Sequence, residues 1–234
     1  MQQIPLVCVP FAGAGASFFR PWGTLAGDGL KIVPLQPPGR EWKLDEEPYR
    51  DAAQAATGLL PEVLDEIGDS GRVTLFGHSL GAVLAYELGH RLAATPGIEV
   101  VRLIVSGSPG PWSARPDRAS GLADDDFLRR VEEFAGYSHE ALANPEMREL
   151  VLPVLRADVE MHENYLPADD RPLPAPITAV RGRTDELVTT EQAEEWSKAT
   201  SREFTLTEVD GGHMYLAQSA APLLRLIADH VTRG

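Results

Sequence analysis

Short runs of apolar, largely β-branched residues recur along the chain at 4–11 (IPLVCVPF), 31–36 (KIVPLQ), 72–78 (RVTLFGH), 101–108 (VRLIVSGS), 176–182 (PITAVRG) and 204–211 (FTLTEVDG). Most are continuously apolar rather than alternating, which predicts strands covered on both faces. Helical stretches lie between them, at roughly 48–67, 80–94, 189–199 and 217–232. Strand alternating with helix predicts an α/β fold: a mostly parallel central sheet with right-handed crossovers and helices on its faces. No internal repeat or low-complexity linker interrupts the pattern. One domain over 1–234 is the simplest organisation.

One region departs from that rhythm. From about 113 to 170 the pattern holds no strand. The stretch ADDDFLRRVEEFAGY reads as a helix opened by acidic residues, which suit a helix N-terminus. The stretch NPEMRELVLPVLRADVEMHENY reads as a longer one, with Asn144 as N-cap and Pro145 at its first position. Pro153 is expected to kink it. Met147, Leu150, Val151, Val154 and Leu155 fall on one apolar stripe. A helical insertion between two strands is expected to sit over a site as a lid, with Phe127, Phe134 and Met147 among its apolar residues.

Composition narrows the functional classes. The chain has 234 residues, 43% of them hydrophobic and 24% charged, as expected of a globular domain with a substantial core. The net charge of −14 leaves no dense basic face for nucleic acid and disfavours anionic membrane. No apolar segment approaches the length of a membrane span, and the N-terminus lacks the basic region of a signal peptide. The single cysteine, Cys8, excludes an internal disulfide and reads as a buried small hydrophobe. A cytoplasmic location is expected.

The chemistry centres on LFGHSLGA, residues 75–82. It carries Gly-x-Ser-x-Gly, a pattern common enough by chance that its context must decide. That context is a strand before Ser79 and a helix directly after it, which is the strained turn that exposes a nucleophile above a sheet. Gly77 and Gly81 let strand and helix approach, and Ala82 and Ala85 keep the same face small. The N–H of Leu80, at the helix start, points to where an oxyanion would form.

A serine hydroxyl needs a base. Of the six histidines, His78 precedes the serine and is expected to point away, His90 and His230 sit on helices, and His139 and His162 lie in the insertion. His213 follows the last strand behind two glycines, where a base can fold over the sheet's carboxyl edge. The third member should be an acid that orients the imidazole. Asp185, in VRGRTDELV, gives the order Ser, Asp, His of the α/β-hydrolase arrangement. Asp210 competes but is close enough to His213 to support its loop instead, and Glu186 is expected to point elsewhere. A second oxyanion donor should come from the loop after the first strand, with Ala12 N–H the first choice and Phe11 the other. That loop is glycine-rich but lacks the third glycine of a dinucleotide fingerprint, so no cofactor is expected. No metal-ligand cluster is visible, so no metal is expected.

The segments CVPFAGAGASFFRPW (8–22), LQPPGRE (35–41), FGHSLGA (76–82), LRADVEMHENY (155–165), VRGRTDELV (180–188) and VDGGHMYL (209–216) together resemble type II thioesterases. These are the free-standing editing thioesterases of polyketide and nonribosomal peptide synthesis, with the α/β-hydrolase fold. The resemblance implies hydrolysis of acyl groups held as thioesters on the phosphopantetheine arm of an acyl- or peptidyl-carrier protein. It implies Ser79 as nucleophile, His213 as base, Asp185 as orienting acid, and Ala12 and Leu80 as oxyanion donors. The chain departs from the family in Gly13-Ala14-Gly15, where Gly-Gly is common, and in Leu80, where Met is common. A monomer is expected. Because the chain is acidic, docking an acidic carrier calls for a local basic patch, with Arg20, Arg40, Lys43, Arg115 and Arg118 as candidates. The rival readings are a small-molecule esterase or acyl-coenzyme A thioesterase, a releasing domain cut from a megasynthase, and a non-catalytic binding module.

Overall fold

The computed structural model describes residues 3–113, 118–135 and 144–232. Six parallel strands form one sheet: β1 (Ile4–Val9), β2 (Leu30–Pro34), β3 (Arg72–His78), β4 (Glu99–Ser106), β5 (Ile177–Gly182) and β6 (Phe204–Val209). Their spatial order is β2-β1-β3-β4-β5-β6. The helices are α1 (Trp22–Leu25), α2 (Ala52–Ile67), α3 (Leu80–Ala93), α4 (Asp124–Ala135), α5 (Pro145–Glu163), α6 (Thr190–Glu194) and α7 (Ala220–Thr232). Short 3-10 turns join several of them.

The continuous apolar runs have a direct cause. Successive strand residues face opposite sides, and both sides are covered. Val7 and Val9 of β1, Val73 and Leu75 of β3, and Leu103 and Val105 of β4 pack in one core with α2 and α3. Leu6 and Cys8, Phe76 and Ile104 point the other way, into a core closed by Phe19, Trp22 and α7. The edge strand β6 is only half-buried along its length.

The strand order also fixes where a site can form. From β1 the chain passes to β2 on one side, whereas β3 lies on the other side of β1 and leads on to β4. Connections that diverge this way open a crevice at the carboxyl ends of the strands. The loops after β1 and β3 flank it, and Val9 and Gly77 are in register at its floor.

The insertion holds the two expected helices, α4 and α5. Asn144 caps α5 by accepting the Glu146 N–H at 3.0 Å, and Pro145 follows it. The helix runs on through Pro153. The two helices are tied by ion pairs, Arg148 to Asp125 and Arg156 to Asp124, and Arg156 also lies over the Phe127 ring. Phe127 is buried, but Met147 is exposed. Arg115, His139 and the Phe134 side chain lie outside the described residues.

Candidate active site

Ser79 is the N-cap of α3, a position where a serine side chain ordinarily bonds the helix backbone. Here it makes no such bond. Its backbone, at φ 53° and ψ −118°, is one of two non-glycine residues with positive φ among those described. The turn is compressed. A Cβ at Gly77 would lie 1.9 Å from the Gly81 carbonyl oxygen, and one at Gly81 would lie 2.3 Å from that of Val9. Only glycine at these places lets α3 start so close to β1 and β3. Such strain persists because the surrounding structure over-determines it.

Asp185 and His213 come from loops after β5 and β6. The loops meet backbone to backbone: a Cβ on Gly182 would lie 2.3 Å from the Gly211 carbonyl oxygen. Thr184 N–H donates to that same oxygen at 3.1 Å. His213 Nδ1 and Asp185 Oδ2 are 2.9 Å apart. Asp185 Oδ1 accepts from Leu187 N–H at 2.9 Å and Val188 N–H at 3.2 Å. Burial pushes the Asp185 carboxyl up, but the hydrogen bond and charge of His213 and the two backbone N–H groups outweigh it. The carboxyl therefore sits below the usual aspartate value. With Nδ1 taken up, the His213 nitrogen left for a reacting group is Nε2. Among the described contacts no hydrogen bond joins Ser79 Oγ to His213. Catalytic hydrogen bonds are often long before substrate arrives. Asp210 is exposed and pairs with Arg183 at 3.2 Å, and Glu186 is exposed as well.

Leu80 N–H, first of α3, and Ala12 N–H, in the loop after β1, are engaged by no hydrogen bond among the described residues. The Phe11 ring, next to Ala12, lies 5.8 Å from that of His78. Beside this loop opens a cavity of about 590 Å³. Phe11 and Ala12 line one side, and Met214, next to His213, also contributes. The expected stripe of α5, from Met147 to Leu155, faces into it, which accounts for the solvent exposure of Met147 and Leu150. Ser79 itself is not part of the cavity wall.

The sequence profile of the thioesterase domain family matches residues 4–231. The chain belongs to the thioesterase family. It is 34% identical over 217 residues to a probable cadicidin biosynthesis thioesterase of Streptomyces griseus, covering 93% of this chain and 59% of that one. It is 33% identical over 236 residues to the thioesterase PikA5 of Streptomyces venezuelae, covering 100% of this chain and 83% of that one. Among solved structures, the type II thioesterase BorB from the borrelidin biosynthetic cluster is similar at 32% identity with a TM-score of 0.88. That match covers 98% of this chain and 93% of BorB. The fold is accordingly that of the α/β-hydrolase thioesterases.

Three features of this thioesterase depart from the sequence expectations or escape them. His78 is fully buried, and its ring lies 4.8 Å from that of His213. Its Nδ1 meets Ser106 Oγ at 2.8 Å, and Ser106 meets Tyr215 at 2.6 Å. Burial above all, with His213 and His162 adding to it, pushes the His78 imidazole well below the ordinary histidine value. Glu87, buried in α3, accepts from Tyr165 OH at 3.1 Å and Ala168 N–H at 2.9 Å, anchoring the chain just past α5. Arg40, expected in a surface patch, is buried: its guanidinium holds Asp158 of α5 with two bonds of 2.5 and 2.9 Å. Of the other patch candidates, Arg20 lies exposed over Trp42, Lys43 pairs with Glu62, and Arg118 pairs with Glu163. Cys8 is buried in β1, and that burial pushes its thiol far up from the ordinary cysteine value. Among the described residues no helix is long and apolar enough to cross a membrane.

Proposed function

We propose that this thioesterase hydrolyses acyl groups carried on the phosphopantetheine arm of acyl- or peptidyl-carrier proteins, clearing aberrant or stalled units in polyketide or nonribosomal peptide synthesis. The observation that carries the chemistry is the Asp185–His213 hydrogen bond of 2.9 Å, taken together with a serine held at positive φ at the strand-to-helix turn. Ser79 Oγ attacks the thioester carbonyl while His213 Nε2 takes its proton. Asp185 fixes the imidazole tautomer by accepting from Nδ1 and stabilises the imidazolium that forms. The N–H groups of Ala12 and Leu80 receive the oxyanion, at the positive end of α3. The tetrahedral intermediate collapses, and the pantetheine sulfur leaves with the proton from His213. Water activated by His213 then attacks the acyl-serine and releases the acid.

Chain 1–234 acts in this reading as one domain, with α4 and α5 as a lid over the acyl chamber. Biosynthetic relatives named for cadicidin and borrelidin support the carrier as substrate. The protein works as a monomer in the cytoplasm in this reading. The test is a comparison of kcat/KM for one short acyl group on a carrier protein, on coenzyme A and as a simple oxygen ester. The carrier thioester should be cleaved at least about tenfold faster than the others, corresponding to about 1.4 kcal/mol of added transition-state binding. Equal rates on coenzyme A, or a preference for the oxygen ester, would replace this reading with a general acyl-coenzyme A thioesterase or esterase.

A further inference from the structure

The loop that carries Ala12 N–H is a four-residue turn. Ala14 N–H donates to Phe11 carbonyl at 3.0 Å, and Gly13 sits at φ +77°. Positive φ at the third position is the signature of a type II turn, in which the peptide between the two central residues stands roughly perpendicular to the turn plane. Two ways of flipping that peptide compete in any such turn, so something must select one. Here the selection comes from the insertion. Asp158 Oδ2 of α5 accepts the Gly13 N–H at 2.8 Å. Arg40, held by the same carboxylate, donates to the Ala14 carbonyl at 3.1 Å. The turn is thus gripped at its N–H by the acid and at its C=O by the base of one ion pair. Leu155, one turn earlier on α5, closes the space a side chain at position 13 would need, with its Cδ1 3.0 Å from where a Cβ would stand.

Burying a charge pair is costly unless its remaining hydrogen-bonding capacity is met. This pair meets much of it with the backbone of a loop beside the reacting atoms. We infer that the buried Arg40–Asp158 pair is a positioning device for the Ala12 amide, coupling the seating of helix α5 to the assembly of the oxyanion hole. The inference rests on the hydrolase reading of Ser79 given above. Neither residue touches the reacting atoms. With α5 seated, Asp158 holds Gly13 N–H, which fixes the Ala12 carbonyl of the same peptide and with it the turn that presents Ala12 N–H to the oxyanion. With α5 lifted, the turn loses both grips and the hole loses one donor. Acyl transfer is therefore fast only while the insertion covers the chamber.

The test uses the double variant Arg40→Met/Asp158→Leu, because removing both charges together leaves no unpaired buried ion. Its melting temperature should stay within about 4 °C of wild type. Loss of one oxyanion donor costs about 10²–10³-fold in kcat, so loosening one should cost at least about tenfold. KM and the affinity of a non-electrophilic thioether analogue should move less than about threefold, whereas a trifluoromethyl ketone, which forms an oxyanion on Ser79, should weaken by the same factor as kcat. Simple oxygen esters and carrier thioesters are both assayed, since an oxyanion hole serves either. A kcat within twofold of wild type, or thioether and ketone affinities that fall together, overturns the inference. If the double variant does not fold, Asp158→Asn, which keeps one acceptor for Gly13, must lose less kcat than Asp158→Ala; equal losses overturn it too. A wild type that cleaves esters but no carrier thioester defeats only the carrier assignment. A wild type that cleaves neither defeats the hydrolase reading and this inference together.

Discussion

The sheet edge and the helical insertion position their residues by opposite means. At the edge, backbone lies on backbone: Gly81 against Val9, and Gly182 against Gly211, at separations no other residue tolerates. Ser79, Asp185 and His213 hang from that rigid frame. The insertion is held by side chains: an apolar cluster of Phe127, Leu128, Leu152 and Leu155, surface arginine–aspartate pairs such as Arg148–Asp125, and one buried pair, Arg40–Asp158. Exposed pairs contribute little, about 0–1 kcal/mol each. The contrast fits the proposed division of labour, in which the sheet carries the reacting side chains and the insertion covers the chamber.

The largest effect should come from Ser79→Gly. Turnover should fall at least about a thousandfold, since the proposed nucleophile is gone. The fold should be as stable as wild type or slightly more so, because glycine relieves positive-φ strain of about 1–3 kcal/mol, in part offset by its greater unfolded-state freedom. A marked drop in the urea midpoint would mean that the elbow stores no strain. Gly81→Ala should be next. Its methyl would stand 2.3 Å from the Val9 carbonyl oxygen. Forcing a methyl into such a packed site costs about 1–3 kcal/mol, read from denaturant unfolding, and displaces Ser79. Native stability and rate in the Gly81→Ala enzyme would show the frame to be softer than its geometry implies.

Leu150→Trp, on the chamber wall and half-exposed, should leave stability and the turnover of two-carbon acyl groups near wild type. It should lower kcat/KM for long acyl chains about tenfold, by filling space they occupy. Uniform loss across chain lengths would break the assignment of chemistry to the sheet and selection to the insertion.

A smaller effect concerns acid. His78 is buried with its imidazole pushed well below the ordinary value, so the unfolded chain binds a proton near pH 6.5 that the folded one refuses. Stability from this residue is full above about pH 6.5 and falls as pH drops below it, by up to about 1.4 kcal/mol per unit. His90, half-buried and lowered by burial, acts in the same sense. His78→Asn should therefore flatten, but not abolish, the fall in melting temperature between about pH 6.5 and 5. An unchanged slope would show that His78 is not the group responsible.

Much of this arrangement is legible from residue order. Strands covered on both faces must be apolar without interruption, so β1 and β3 to β5 announce themselves. Ser79, Asp185 and His213 are recognisable because each follows a strand and carries glycine nearby. The α5 stripe is legible as apolar, but not that it faces a chamber instead of a core. Arg40 misleads because charged residues are rarely buried without a partner, and its partner lies 118 positions away. The packing of His78 on His213 depends on two loops meeting in space, for which local spacing carries no signal.

The most direct measurement of the central claim is the intact and peptide mass of the enzyme quenched during turnover of an acyl-carrier thioester. One acyl adduct is expected on Ser79, enriched when deacylation is slowed, and none in Ser79→Gly. An adduct elsewhere, or thioester hydrolysis that survives the loss of Ser79, would contradict it.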